Sequence, residues 1–550
     1  MRRGGAVAIA AVVGWYAFAL ALLHPLANGP VADSWIYGEA VRWFRATGEI
    51  RFPGFTETMP VAQIIYGAGW GSIFGVSAVS LDLANAFLGI VAALLMYALA
   101  MRCGARSWQA LAAAGLLVCN PCYLFLSFSF MSEIAFLTAL LGSHLAFARA
   151  EGKRQIPYLW LSASLAVVAF AVRPFGGAAI LGSIGAILIC DAMRPVRSRA
   201  SIVQMASMLM PFVFALFGCA LIWVWLTVVR PPPWKLTQNE GLLAYVFDVS
   251  LREYLRMGVL GPLLYLGIVL SPIALLRVVS KDAGRVLALG GGIFIATLIL
   301  VRTGGQYPST PEMSCFGGWS NALILRGMSN RFLWQDGWRY VAALLGSIGA
   351  AGLIFAAIEV MPKLKRASAA VLLTAGIYWV AMIPLWFFND RYFLVLVPAG
   401  ALILALAPLP EKVPMHIAAL AMTAAMGLMS LGGTYSYQRG LAAVMAARDV
   451  LEKSGIQRSA IDAGYELNGL DLYRFACPGG VTPREEADIP MITSARVGEY
   501  TIAARPFSGT EIVGRISWPG PFGLGSRDIY LLRRIDDEKS GSSARSRSGG

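Results

Sequence analysis

AVAIAAVVGWYAFALALL, residues 6–23, running directly into HPLANGPVADSWIYGEAVRW, residues 24–43, decides the fold class. The first half is an uninterrupted apolar run behind Arg2 and Arg3. As an α-helix it is long enough to cross a hydrocarbon core of roughly 30 Å. A basic flank before an apolar run also describes a secretory leader. Here no small-residue cleavage site follows, and His24-Pro25 comes at once, so the run reads as an uncleaved first span. The second half is too polar for membrane core. Within Ser34 to Thr47, Ile36, Ala40, Trp43 and Phe44 share one helical face, with Arg42 and Arg45 largely off it. That is the pattern of a helix lying in the membrane interface.

Apolar runs of similar length recur near 81–101, 107–126, 131–149, 157–172, 174–191, 202–228, 261–280, 286–301, 338–359, 367–387, 393–409 and 413–432. With the first, about thirteen spans are expected. Composition agrees: 57% of the 550 residues are hydrophobic and 14% charged, where soluble chains carry about 25% charged residues. Mean hydropathy is +0.64. Pro60 to Phe74 is apolar and aromatic but too short to span, and reads as a second interfacial helix in the loop 26–80.

The net charge of +14 does not point to nucleic acid, because the basic residues gather in short turns between apolar runs. With the N-terminus cytoplasmic, the cytoplasmic turns hold Arg102 and Arg106; Arg149, Lys153 and Arg154; Arg194, Arg197 and Arg199; Arg277, Lys281 and Arg285; Lys363, Lys365 and Arg366; and Lys412. The opposite face carries the long loops 26–80, 229–260 and 302–337, with mixed charge. The positive-inside rule therefore puts these loops and the C-terminus outside the cytoplasm. Seven cysteines include no CxxC pair, and Cys119 and Cys122 read as packing residues. His24, His144 and His416 are too scattered for a zinc motif, and His144 reads as packed.

Composition changes after the last apolar run. Residues 1–432 form the expected membrane domain, and 433–535 a small extracytoplasmic α/β domain. The latter opens on an amphipathic helix at 441–454 and contains strand-like runs at 512–516 and 528–532. Asn468-Gly469, Pro478-Gly479-Gly480 and Pro519-Gly520-Pro521 read as turns. The Ser-, Gly- and Arg-rich tail 536–550 has nothing to bury and is expected to be disordered.

Charged groups near hydrocarbon are costly and require an explanation. Asp33, beside Trp35 and Tyr37, can serve as a general base at the outer surface or as a helix N-cap. Glu39 reads as a solvated helix charge. Glu57, in FTETMP, is either a second carboxylate of the same cavity or an ordinary loop residue. Glu133, in FSFMSEIAFL, can complement a helix dipole or pair with an arginine. Arg173, in FAVRPFGG, and Arg391, in FFNDRYFLVLVP, stand outside the basic cytoplasmic clusters. Each can hold a phosphate through paired charge-assisted hydrogen bonds. The alternatives are snorkelling to headgroups and, for Arg391, a local pair with Asp390. Arg326, Arg331 and Arg339 occupy a further outer loop without an order of preference. An anionic-lipid transporter or flippase fits this pattern as well as an enzyme does, although inverted repeats and charges through the membrane depth, which a transporter calls for, are not evident.

Taken together, Asp33 after the first span, PVAQIIYGAGWGSIFG at 60–75, SEIAFL at 132–137, RPFGG at 173–177 and NDRYFLVLVP at 389–398 resemble the GT-C superfamily of polyprenyl-phosphate-sugar-dependent glycosyltransferases. The similarity spans roughly residues 5–430 and is closer to the bacterial protein mannosyltransferase and lipid A aminoarabinose transferase group. Asp-Ser stands at 33–34 where that family often has two acidic residues, and the basic residue and paired prolines of the aminoarabinose transferases are missing near Glu57. The resemblance implies an inverting transfer of a sugar from a polyprenyl-phosphate donor to an extracytoplasmic hydroxyl acceptor. Asp33 would be the base and Glu57 a supporting carboxylate. Arg391, Arg173, Glu133, Tyr392 and Tyr37 would bind substrate and its phosphate. No metal or cofactor is expected, and the implied location is a bacterial inner membrane. A transferase using diphosphate-linked oligosaccharides is the other enzyme of this class.

Overall fold

The computed structural model describes residues 2–51, 60–150, 155–192, 199–229, 254–279, 282–302, 325, 337–383, 390–408, 413–476 and 499–535. Glu57, Arg326, Arg331, Pro478-Gly479-Gly480, the tail 536–550 and the side chains of Arg339 and Asp390 lie outside this description.

The protein is a helical, multi-pass membrane protein with a small C-terminal sheet. Helix α1, Arg2–Leu23, is the first apolar run. The interfacial helices α2, Ser34–Thr47, and α3, Val61–Phe74, follow. Helix α2 buries Trp35, Ile36, Tyr37, Ala40 and Val41, and ends on Gly48 at φ 74°, a left-handed conformation that glycine adopts without strain. Then come α4, Ala78–Cys103, α5, Ser107–Val118, α6, Pro121–Ser127, α7, Ser132–Arg149, α8, Gln155–Val172, α9, Gly177–Ala192, and α10, Arg199–Val224. The second half contains α11, Gly261–Val269, α12, Ser271–Ala274, α13, Ala283–Arg302, α14, Gly337–Val360, α15, Arg366–Met382, α16, Asp390–Phe393, α17, Val397–Leu406, and α18, Val413–Lys453.

The described residues of each expected apolar run are mainly helical, yet by length and composition seven described helices can cross a membrane, or up to nine when each bent pair counts as one. The run expected at 107–126 is not one straight helix: α5 and α6 meet at 67°. Asn120 causes the break, its side-chain carbonyl accepting from the backbone N–H of Cys122 (2.9 Å) and Tyr123 (3.2 Å) with Pro121 at the first helical position. The run expected at 261–280 is likewise bent, by 71°, where Ser271-Pro272 opens a new helix. The turns around 104, 150 and 365–366 lie together at one end of the bundle: Arg366 donates to the Ala150 carbonyl (2.8 Å), and the Lys365 amine lies beside Gly104.

Helix α18 departs most from expectation. The sequence suggested a span at 413–432 and a separate helix at 441–454; one helix of 41 residues covers both. At 1.5 Å per residue it is about 60 Å long, twice the hydrocarbon thickness. Gly432-Gly433 does not interrupt it, because tertiary packing outweighs a helix penalty of about 1 kcal/mol per glycine. Leu431, Tyr437, Leu441, Val444 and Ala447 are buried, and the Ser430 hydroxyl donates to the Cys119 carbonyl (2.6 Å). The expected domain boundary at 432/433 therefore falls inside a rigid element.

Beyond α18 lie β1, Ile461–Asp462, helix α19, Tyr465–Ala476, and β2, Tyr500–Ala503, β3, Thr510–Pro519, and β4, Ser526–Arg534. The sheet order is β1-β2-β4-β3, with β1 parallel to β2 and the other pairs antiparallel. Pro519-Gly520-Pro521 connects β3 to β4, as its residues suggested, and the register shifts at Ile512/Gly514. Asn468-Gly469, read as a turn, lies inside α19. The Asn468 side chain there bonds Asp462 and the Ala463 backbone instead of closing a turn.

Candidate functional site

The ends of α2, α7, α8 and α16 meet at the opposite end of the bundle from the basic turns. Asp33 precedes α2 at the N-cap position, yet its side chain makes no capping bond. Ser34 takes the local role, its hydroxyl accepting from the Val31 backbone N–H (2.7 Å). Ala32, immediately before Asp33, sits in the left-handed region at φ 46°, which costs a residue with a Cβ of order 1–2 kcal/mol. The Asp33 carboxylate is thereby left for distant partners. Arg391 Nη2 donates to Oδ2 (3.0 Å), and the Tyr465 hydroxyl donates to Oδ1 (2.8 Å).

Glu133 occupies the first turn of α7, where a carboxylate opposes the helix dipole. It also has a second role, since its Oε1 accepts from Arg173 Nη2 (2.6 Å) and forms an ion pair with Arg391 Nε (3.1 Å). Arg173 Nε donates to the Ser132 hydroxyl (2.9 Å), so the Ser-Glu pair receives the guanidinium as a fork. The side chains of Arg173, Glu133 and Arg391 are 6%, 1% and 7% exposed; that of Asp33 is 24% exposed. The open end of the network is thus the Asp33 end.

Tyr392 places its ring beside both guanidiniums, 5.3 Å from that of Arg173 and 5.6 Å from that of Arg391. Tyr37 is buried beside the same groups; burial and then the Asp33 charge push its hydroxyl well above the usual phenol range, so it stays protonated at neutral pH. The structure therefore brings together Asp33, Glu133, Arg173, Arg391, Tyr392 and Tyr37, while Glu57 lies outside the described residues. Sequence reasoning missed Tyr465, which sits 432 positions from Asp33 and on a different domain, with no local signal of its role. Ser132 was quoted only as part of a motif. Among the described residues, no group of three or more His, Cys, Asp or Glu could hold a metal ion.

Chemically, the chain Arg173–Glu133–Arg391–Asp33 balances two cations with two carboxylates. An entering phosphate can compete with Asp33 for the Arg391 guanidinium. The exchange would release Asp33 Oδ2 to accept a proton, with Oδ1 still held by Tyr465.

Residues 60–230 match the family described as dolichyl-phosphate-mannose-protein mannosyltransferase. No curated protein matches the sequence. Among solved structures, the Saccharomyces cerevisiae protein O-mannosyltransferase Pmt1-Pmt2 complex bound to the sugar donor aligns at 18% identity and a TM-score of 0.33, covering 40% of this chain and 33% of that one. The present chain thus spans about a third of that relative. ArnT from Cupriavidus metallidurans in the apo state aligns at 13% identity and a TM-score of 0.42, covering 95% and 97% of the two chains. Archaeal oligosaccharyltransferase AglB from Archaeoglobus fulgidus aligns at 14% identity and a TM-score of 0.39, covering 80% of this chain and 58% of that one. Over residues 60–230 the chain is similar to the dolichyl-phosphate-mannose-protein mannosyltransferase family.

Proposed function

We propose that this membrane protein transfers a sugar from a polyprenyl-phosphate donor to a hydroxyl of an extracytoplasmic acceptor, with inversion at the anomeric carbon. The observation that carries the reading is Arg391 held between Glu133 and Asp33, so that one guanidinium joins a phosphate-binding pole to a candidate base. The donor phosphodiester carries one negative charge. On binding it draws the Arg391 guanidinium from Asp33, which leaves the carboxylate able to accept a proton. The acceptor oxygen then attacks the anomeric carbon and its proton passes to Asp33. The bond from that carbon to the phosphate oxygen breaks, and the electron pair leaves with polyprenyl phosphate. Charge grows on the phosphate as the bond breaks, and Arg391 is placed to stabilise it, which is where preorganised cations contribute most. Arg173, fixed by Ser132 and Glu133, holds Glu133 and so sets the position of Arg391. Tyr392 spaces the two cations, and Tyr37, protonated, is a donor beside them.

The site lies at the far end of the bundle from Arg102, Arg149 and Arg366, so the positive-inside rule makes it extracytoplasmic. The resemblance of the sequence motifs supports a bacterial inner membrane as the location. The donor sugar follows from the assay below.

The test uses the purified full-length protein in detergent with a set of polyprenyl-phosphate sugars. Asp33→Asn is expected to lower transfer by about 10²–10⁴-fold, the usual contribution of a general base, while donor binding persists. Arg391→Ala is expected to lose donor binding with the fold intact. Wild-type turnover by Asp33→Asn, or wild-type donor affinity in Arg391→Ala, overturns the assignment.

A further inference from the structure

Beside the ion-pair network is a cavity of about 400 Å³, walled by α2, the start of α4, the outer half of α18 and the C-terminal domain. This is within the range of small-molecule sites, roughly 300–1,000 Å³. Ser34 and Trp35, the two residues that follow Asp33, form part of its wall, so an occupant lies next to the proposed base.

The charge inventory of the wall is informative. Arg42, Arg448 and Arg458 all line the cavity and suggest an anion site at first sight. Each already faces a carboxylate of the protein. Arg42 pairs with Glu39. Arg448 lies 3.4 Å from Asp471 and 3.5 Å from Glu452. Arg458 bonds Glu452 at 2.6 Å. Asp82, on the first turns of α4, is the exception among the lining charges. It is 2% exposed, and its Oδ2 has no hydrogen-bond partner. A buried acceptor left in that condition costs on the order of 1–3 kcal/mol, more when charged, and an O–H or N–H donor from outside the chain would relieve it. With each lining arginine already facing a carboxylate of the protein, the wall offers an entering anion no uncommitted cation.

We propose that this cavity is the acceptor subsite, that it takes an uncharged or amine-bearing saccharide in preference to a phosphorylated one, and that Asp82 positions the acceptor by accepting a hydrogen bond from it. The assignment as acceptor rests on the transferase reading; the saccharide preference rests on the cavity alone. Asp82 is a positioning residue, since the proton leaves through Asp33.

The experiment is saturation-transfer NMR on the full-length protein in detergent, with methyl glucoside, methyl mannoside, methyl glucosaminide and glucose 6-phosphate as probes. The neutral and amino glycosides are expected to bind at least tenfold tighter than the phosphate ester, and Asp82→Asn to weaken them at least tenfold. Leu470→Trp, which fills the cavity from α19 without touching the buried carboxylate, is expected to abolish binding and guards against misfolding of the first variant. Equal binding of glucose 6-phosphate, wild-type affinity in both variants, or no glycoside binding at all overturns the proposal. Donor binding is titrated separately with a polyprenyl-phosphate sugar. If the donor fails to bind while glycosides still bind through Asp82, the transferase reading falls and the saccharide site stands. In a working enzyme, Asp82→Asn raises the acceptor KM with the donor KM unchanged; a fall in kcat alone argues against positioning.

Discussion

Glu133 neutralises two buried guanidiniums, Arg173 at 2.6 Å and Arg391 at 3.1 Å, through a single oxygen. Removing its charge leaves Arg391 its pair with Asp33 and takes from Arg173 the carboxylate at 2.6 Å. Breaking a buried ion pair from one side costs about 3–5 kcal/mol, because the stranded charge cannot return to water. Glu133→Gln is therefore expected to lower the thermal midpoint in detergent by several degrees, whereas Glu39→Gln, in a pair whose side chains are 32% and 20% exposed, should change it far less. Equal midpoints for the two variants would remove the network's structural role. Arg173→Lys probes position instead of charge: an ammonium cannot reproduce the fork to Ser132 and Glu133. It should retain the fold and lower turnover about 10²-fold, the scale expected of a small misplacement; turnover equal to wild type would free Arg173 from that role. At this scale the sequence was partly legible. Asp33, Glu133, Arg173 and Arg391 stood out because charge at a membrane boundary is expensive. The choice between cap and base at Asp33 was open, because the same Asp-Ser pair suits either, and it is the absence of a side-chain capping bond that argues against the cap.

Elements were legible where the pattern was strong and less so where a polar residue sits inside an apolar run. The expected helix 34–47 appears as Ser34–Thr47, and 60–74 as Val61–Phe74, since amphipathic spacing and Pro60 mark both. The break at Asn120-Pro121 carried a readable signal, an N-cap residue followed by proline, but hydropathy alone averages over it. Asn120 also reaches the Tyr265 hydroxyl at 3.3 Å, so the bend between α5 and α6 is tied to the second half of the chain. Asn120→Ala removes the cap from two buried N–H groups, and a loss of about 1–2 kcal/mol is expected. Hydrogen exchange in detergent checks it: the amides of Cys122 and Tyr123 should lose protection relative to those within α7. Unchanged protection would mean that Pro121 alone sets the bend. Helix α18 was read as two pieces because Gly432-Gly433 is a local stop signal, while the packing that overrides it comes from residues far away in sequence, such as Cys119.

At the scale of the whole molecule, the C-terminal domain is held onto the membrane domain at the position where Asp33 emerges. Tyr465 opens α19 and bonds Asp33, its ring meeting Trp35 edge-on at 6.3 Å. One turn later Gly469 packs on the same indole: a Cβ placed there would lie 2.6 Å from Trp35 Cε2 and Cζ2. This explains why a glycine occupies a helix interior, a requirement invisible in the sequence because it comes from a residue more than four hundred positions earlier. Trp35 is 2% exposed and cannot swing away freely. Gly469→Ala must therefore separate α19 from α2, even though alanine is intrinsically the better helix former by about 1 kcal/mol. Gly376 in α15 has open space around its Cβ position, so Gly376→Ala is the matched control, expected to be neutral or mildly stabilising. Limited proteolysis of the full-length protein in detergent should release the C-terminal domain faster from Gly469→Ala than from wild type or the control, and the tryptophan emission of Trp35 should shift as water reaches the ring. If the variant resists protease like the control, attachment of the domain does not depend on this contact.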